Sequence, residues 1–160
     1  HTRFRNVTGV QTCALPILFA YDYLTNTYTK KLDFSLLNGR QPKGSLMEAI
    51  NNKLYGTTTT GGNNNQGVIF EYDYVNDICT KKIDLSNATG RTPNGDLVLG
   101  TNGNLFGLTQ FGGSFFSGAL FEYDFVNNIY TKRINLNSSL GILPIGTMMH
   151  ASNGKFYGMT

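Results

Sequence analysis

The chain has 160 residues, of which only 14% are charged, and its net charge of +3 is spread along the sequence in Lys and Arg. No basic run of the kind that marks a nucleic-acid partner is present, and no apolar stretch reaches the ~18–20 residues of a membrane helix. Gly (19), Phe (11) and Tyr (9) are abundant and Trp is absent, which suits many short strands joined by glycine turns.

Residues 1–17, HTRFRNVTGVQTCALPI, share no pattern with residues 52–68, one repeat further on. They lack the basic start, apolar stretch and small-residue cleavage site of a signal peptide. The string reads as translated sequencing-adapter DNA, so residues 1–17 are taken as a non-native leader. Cys13 and the Asn6 sequon are set aside with it. The other cysteine, Cys79, stands in a strand where the neighbouring copies have Tyr28 and Tyr130, and two cysteines make no disulfide framework. A buried free thiol is expected there.

From Leu18 the chain repeats itself. Leu18–Phe34 (LFAYDYLTNTYTKKLDF), Val68–Leu85 (VIFEYDYVNDICTKKIDL) and Leu120–Leu136 (LFEYDFVNNIYTKRINL) are copies, and Phe19, Phe70 and Phe121 lie 51 residues apart. Leu54-Tyr55-Gly56, Leu105-Phe106-Gly107 and Phe156-Tyr157-Gly158 keep the same step, as do Pro42, Pro93 and Pro144. A period near 50 residues without slippage points to an array of blades or a solenoid, not to one globule.

Within one unit, Ser45–Ile50 is a short apolar strand. Asn51-Asn52 turns the chain, matched by Asn102-Gly103 and Asn153-Gly154. A two-residue turn with positive φ at both central positions is expected. Lys53–Thr60 is the second strand, and Gly61–Gln66 is a polar glycine-rich loop. Gly67–Tyr74 is the third strand, and Asp73–Asp77 turns with Asx side chains capping their own backbone. Ile78–Leu85 is the fourth strand, with Lys81 and Lys82 giving a charged edge that discourages pairing with other sheets. Ser86–Gly95 connects to the next unit.

Four short antiparallel strands in about 50 residues is the unit of a β-propeller blade. The expected fold is all-β, about three 51-residue units over 18–160. It comprises a half blade at 18–34, blades at 45–85 and 96–136, and a half blade at 146–160. Propellers close with roughly four to eight blades. The chain is therefore expected to be a fragment whose first partners are the remaining blades of a longer protein.

The pattern Tyr-Asp-x-x-x-Asn-x-Tyr-Thr-Lys, then Gly-x-Leu-Tyr/Phe-Gly, then Gly-Gly, resembles the kelch repeat, with Tyr28, Cys79 and Tyr130 at the kelch tryptophan position. The likeness is stronger to the Gloeo/Verruco (GloVer) tandem repeat. Phe156-Tyr157-Gly158-Met159-Thr160 and Gly112-Gly113…Gly118…Phe121-Glu122-Tyr123 carry it, and it runs over Leu18–Thr160. The resemblance implies a secreted or cell-surface bacterial protein with no assigned catalytic residues. Gly61-Gly62 and Gly112-Gly113 hold the family's double glycine; the first unit's copy is missing under the leader.

Candidate chemistry is sparse. His150 has Leu99 and Glu48 as counterparts and reads as a strand histidine, not as a base or metal ligand. Glu71/Asp73 and Glu122/Asp124 face Lys81/Lys82 and Lys132/Arg133, which reads as a cross-strand charge ladder. A glycosidase would need two carboxylates facing one bond, with one pKa raised. The turns at Asp22, Asp73 and Asp124 offer oxygen ligands but lack the spacing of a calcium loop. The loops Gly61–Gln66 and Gln110–Ser117 are the best binding candidates, through Asn63, Asn64, Asn65, Phe111, Phe115 and Phe116. The alternative for the aromatics is packing between blades. The expectation is a non-catalytic extracellular or cell-surface module that recognises a glycan or a protein, or serves as a scaffold. It would use no cofactor or metal and have no nucleic-acid partner. The competing reading is an accessory or catalytic part of a carbohydrate-active enzyme.

Overall fold

The structure, a computed structural model, describes residues 15–160, so the expected leader falls almost wholly outside the described residues. No helix occurs among the described residues. The strands are β1 (Ile17–Asp22), β2 (Thr27–Asp33), β3 (Arg40–Pro42), β4 (Met47–Glu48), β5 (Leu54–Thr60), β6 (Val68–Asp73) and β7 (Ile78–Asp84). They continue as β8 (Val98–Leu99), β9 (Leu105–Thr109), β10 (Ala119–Asp124), β11 (Ile129–Asn135), β12 (Met149–His150) and β13 (Phe156–Tyr157). No helix long and apolar enough to cross a membrane exists among the described residues.

Strands β4 to β7 and β8 to β11 form two antiparallel four-stranded meanders in chain order, flanked by the hairpins β1–β2 and β12–β13. This is the four-stranded unit read from the repeat. Strand β1 begins at Ile17, opposite Asp33, as Val68 lies opposite Asp84 and Ala119 opposite Asn135. The repeat thus starts one residue ahead of Leu18.

Two features differ from expectation. Strand β3, expected as connector, pairs with the far half of β5, placing Arg40 opposite Thr60 and Pro42 opposite Thr58, while β4 takes the near half. The bridge between Arg91 and Phe111 is its counterpart in the next unit. The Asn turns also hold one positive φ, not two: Asn52 at 56°, Gly103 at 82° and Gly154 at 76°. The amide of Asn52 donates to Ala49 O, and that of Ala49 to Lys53 O. The hairpin therefore has a three-residue loop, a turn followed by one left-handed residue, and only its last position needs Asn or Gly.

The repeated glycine and phenylalanine are one device. Gly56 lies opposite Phe70 and Gly107 opposite Phe121. A Cβ on Gly56 would meet Phe70 Cζ at 2.6 Å, and one on Gly107 would meet Phe121 Cζ at 2.5 Å. Each ring lies across the bare backbone of the preceding strand. The tyrosine two residues on braces the next turn: Tyr21 OH donates to Asn26 Oδ1 and Tyr123 OH to Asn128 Oδ1, both at 2.8 Å, and Tyr72 OH donates to Asp77.

The core lies between sheets. Ala49, Tyr55 and Ile69 pack on Leu97, Leu105, Phe121, Tyr123 and Phe125, and Leu18 and Phe34 pack on Val68, Phe70 and Tyr72. Strand β6 is buried on both faces from Val68 to Tyr72, Glu71 included, whereas β7 is half-exposed. Successive units also hold each other at the 51-residue step. Ser45 N donates to Asp96 Oδ1, and Asp96 N donates to Thr147 Oγ1 at 2.8 Å. Gly44 and Gly95 allow this approach, since a Cβ on Gly95 would strike Gly146 O.

Candidate functional site

The loop between β5 and β6 and the loop between β9 and β10 close the same end of their sheets. Each is fastened by the last residue of its own unit's outer strand. Asp84 Oδ1 accepts from Asn63 N at 2.7 Å, and Asn135 Oδ1 accepts from Ser114 N at 2.8 Å. Each also receives the following connector: Thr92 N donates to Gln66 O, and Leu143 N to Ser117 O. The double glycines Gly61-Gly62 and Gly112-Gly113 all have positive φ. A Cβ on Gly62 would meet Asp84 Oδ1 at 2.4 Å.

The asparagines of the first loop are exposed, but their side-chain polar groups hold the loop closed. Asn65 Oδ1 accepts from Gly61 N at 3.1 Å, Asn64 Nδ2 donates to Leu85 O at 2.9 Å, and Asn63 Oδ1 accepts from Lys81 Nζ at 2.9 Å. Their residue type is explained by loop closure.

The second loop differs in what it presents. Phe111 is half-buried beneath Arg91, whose guanidinium carbon sits 5.0 Å from the ring centroid, a cation–π distance. Phe115 and Phe116 are 58% and 66% exposed. Neither packs between sheets among the described residues. Phe116 has φ 56°, at the position matching Asn65 with φ 53°. Asn tolerates that conformation and a bulky residue does not, at a cost of about 1–2 kcal/mol. Beside this loop Lys43, Asn94, Gln110 and Ile145 line an open cleft of about 360 Å³. Sequence reasoning missed Arg91 and this cleft, although Lys43, Asn94 and Ile145 share one repeat position.

The carboxylates are buried deeper than a surface ladder implies. Glu71 accepts from Tyr55 OH and lies 3.4 Å from Lys53 Nζ and 3.7 Å from Lys82 Nζ. Glu122 accepts from Asn102 Nδ2 at 2.8 Å, Asn104 Nδ2 at 2.6 Å and Arg133 Nε at 2.5 Å. Burial pushes both pKa values up, but the donors and cations outweigh it and hold both carboxyls below the ordinary value. That is opposite to the raised pKa a general acid needs.

Asp73 accepts from Val75 N and Asn76 N at 3.0 Å and from Asn76 Nδ2 at 2.9 Å. The Asn76 side chain, with its backbone amide, pulls the Asp73 pKa down to about 2. Asp124 makes the same bonds to Val126 and Asn127. These are Asx turns, with their oxygens turned to backbone amides. Among the described residues no cluster of three His, Cys, Asp or Glu forms a metal site. His150 stacks on Phe156, with ring centroids 4.8 Å apart.

Cys79 lies opposite Tyr72 and fills the place where Tyr130 stacks on Phe121. Burial pushes its thiol up to about 11. In a Cys13→Ser chain at about pH 8, native Cys79 is expected to react with Ellman's reagent at least tenfold more slowly than the unfolded chain. Equal rates would show an accessible thiolate and refute the buried placement.

Comparison with known proteins gives three findings. The model of a family described as the Gloeobacter/Verrucomicrobia repeat matches residues 8–160. No curated protein matches the sequence. Among solved structures, the crystal structure of TolB from Acinetobacter baumannii is similar with a TM-score of 0.55 at 17% identity, over 89% of this chain and 34% of that chain. At that identity the likeness bears on fold alone: an all-β, propeller-like arrangement. The chain spans about a third of that protein's length.

Proposed function

The chain belongs to the Gloeobacter/Verrucomicrobia repeat family, and from that premise we propose that it is a non-catalytic recognition module of a secreted or cell-surface bacterial protein. In this reading the four-stranded sheets are kelch-like propeller blades, and the loops between second and third strands form a binding face for a glycan or a protein. The observation that carries the reading is the pair Phe115 and Phe116, exposed on a loop fastened at both ends. Phe116 holds a conformation that costs a bulky residue energy, and stacking on a ligand offsets it. Loops on a rigid scaffold are where such contacts gather.

What weighs against a carbohydrate-active enzyme is the state of Glu71 and Glu122, both held ionised and committed to neighbours within their own sheet. The test is a glycan and peptide array probed with the chain and with Phe115→Ala and Phe116→Asn. Binding is expected to fall at least tenfold in both. Phe116→Asn is expected to raise thermal stability slightly, because Asn suits that φ. Binding that survives both substitutions, or no binding by the parent chain, refutes the loop as the recognition face. Turnover of a bound glycan, lost on Glu71→Gln or Glu122→Gln, would establish the enzyme instead.

A further inference from the structure

The fold sorts charge by end of the sheets. Loops 61–67 and 110–118 and connectors 35–44, 86–95 and 137–146 lie toward one end, and none of the 10 acidic residues falls in them. Asp22, Glu48, Asp73, Asp77 and Asp124 sit around the hairpin turns at the opposite end. The loop end keeps Asp33 and Asp84, the last residues of β2 and β7. Each is paired with a lysine of its own strand, Lys30 at 2.7 Å and Lys81 at 2.9 Å. Asp96, just past the second connector, accepts from Ser45 N.

Cations remain at the loop end without such partners. Arg40 and Lys43 are exposed, and neither forms an ion pair among the described residues. Arg91, at the repeat position of Arg40, lies over Phe111, and its Nε is enclosed without an acceptor among the described residues. Three residues further along this connector, Asn94 helps to line the cleft of about 360 Å³ with Lys43, Gln110 and Ile145. Asn94 Nδ2 donates to Gln110 Oε1, while Asn94 Oδ1 is enclosed and meets no donor among the described residues. Gln66 Oε1 lacks one as well, although the Gln66 backbone oxygen takes Thr92 N of the same connector. Enclosed polar atoms without a partner are few in folded proteins, and each calls for an explanation. Arg91, Asn94 and Gln110 belong to the junction of the two complete units, β4–β7 and β8–β11. Arg40, Lys43 and Ile145 belong to the connectors on either side, so no strand at either end of the chain takes part.

We infer that the loop and connector end of the array binds an acidic polysaccharide. Arg40, Lys43 and Arg91 meet its anionic groups, carboxylate or sulfate, and the Asn94–Gln110 pair meets its hydroxyls. The inference rests on the recognition reading above and names the ligand class for the same end of the sheets. A surface of one sign, with the free acids displaced to the far end, draws in a polyanion. Guanidinium groups match the paired oxygens of a carboxylate or sulfate. The amide pair is suited to a group that donates and accepts at once. Gln110 spends its oxygen on Asn94 and keeps its amine, while the Asn94 oxygen lacks a donor. A hydroxyl entering between the two amides donates to Asn94 Oδ1 and accepts from Gln110 Nε2. The exposed rings of Phe115 and Phe116 stand on the adjoining loop to stack on sugar faces. Hydroxyls on every ring, with an apolar ring face between them, favour a sugar chain over an acidic peptide.

The test is titration calorimetry of the 160-residue chain with polygalacturonate, dextran sulfate, dextran and poly-L-glutamate. Binding is expected to at least one of the two acidic sugars, and which one it is tells carboxylate from sulfate. It is expected to weaken as NaCl rises from about 50 to about 500 mM, and to be at least about tenfold weaker toward dextran and toward poly-L-glutamate. Arg40→Gln with Lys43→Gln is expected to lose about tenfold in affinity. Both side chains are exposed, so circular dichroism is expected to stay unchanged. Asn94→Asp sets a negative charge in the cleft and is expected to weaken binding further, while Gln110 can turn its amide to donate to the new carboxylate. Lys155→Gln, beside the Asn153-Gly154 turn at the far end, is expected to bind as the parent does. An equal loss in Lys155→Gln would trace the binding to net charge and overturn the inference. Poly-L-glutamate bound as tightly as the sugars would make the partner an acidic peptide and overturn it too. Dextran bound as tightly as the acidic sugars, with loss in Phe116→Asn but not in Arg40→Gln with Lys43→Gln, overturns the charged site and leaves the loop reading standing. Silence toward all four polymers overturns the inference, and a glycan or peptide array that is also silent removes the recognition reading with it.

Discussion

Gly107→Ala is expected to lower stability by about 2 kcal/mol, within the 1–3 kcal/mol typical of an added methyl group in a packed core. The intrinsic effect runs the other way. Alanine in a strand is favoured over glycine by about 0.5–1 kcal/mol, because glycine loses more chain freedom on folding. The clash decides the sign. A Cβ at position 107 would lie 2.5 Å from Phe121 Cζ, 2.9 Å from Phe121 Cε1 and 3.1 Å from Leu97 Cδ2. Phe121 has no room to retreat: it is fully buried and stacked on Tyr130. Phe121→Leu removes the far ring atoms, so the double variant is expected to cost about 1 kcal/mol less than the sum of the two single ones. Urea unfolding of the four-member cycle measures this. A neutral Gly107→Ala, or a strictly additive cycle, would show that the ring does not lie against the glycine. Gly56, with Phe70 Cζ at 2.6 Å, supplies an independent repeat of the experiment in the preceding unit.

That pairing also explains what could be read from the sequence. Phe70 and Gly56 recur because every unit meets its neighbours alike, so the period is written directly in the residues that pack. Strand number per unit and strand order follow from it. The features that escaped depend on contacts between distant positions. Strand β3 is three residues long and ends in proline, so it resembles a connector until Thr58 and Thr60 are placed beside it. The Asn turns satisfy either hairpin geometry by composition, and only the backbone separates them. At the candidate site, Asn63, Asn64 and Asn65 look like a ligand face because they are polar and exposed. The side-chain partners of Asn63 and Asn64, Lys81 and Leu85, lie 18 and 21 residues on, invisible to local pattern, whereas Asn65 bonds to the nearby Gly61 N. For Phe115 and Phe116 the residue types fit both a binding surface and packing between blades, and their exposure emerges only from the folded loop. Arg91 over Phe111 was not legible, because it arrives from the preceding connector. Glu71 and Glu122 were read as rungs of a charge ladder with Lys81, Lys82, Lys132 and Arg133 across the hairpin. Tyr55, Asn102 and Asn104, from the adjoining hairpin, cover them.

That burial makes the carboxylates the acid-sensitive point of the fold. Glu122→Ala is expected to cost about 2 kcal/mol, in the range of losing hydrogen bonds to a charged group. Glu122 is only 4% exposed and takes donors from Asn102, Asn104 and Arg133. The Arg133 side chain is 54% exposed, so solvent screens its share and the larger part rests on the two amides. The pH dependence follows from the direction of the shifts. Glu71 and Glu122 have folded pKa values below their ordinary ones, and Asp73 lies at about 2. A group depressed in the folded state contributes stability that is complete above its unfolded pKa, near 4 for these carboxylates, and is lost as pH falls through the folded value. Thermal stability is therefore expected to be flat with respect to these groups at neutral pH, and to fall between about pH 5 and pH 2. Glu122→Ala should start lower and fall less steeply over that window, because it has one depressed carboxyl fewer. Melting curves of both chains across the window decide the matter. An acid limb of unchanged slope in the variant would mean that Glu122 is not held ionised by its neighbours, and the case against a raised carboxyl pKa in this sheet would fail with it.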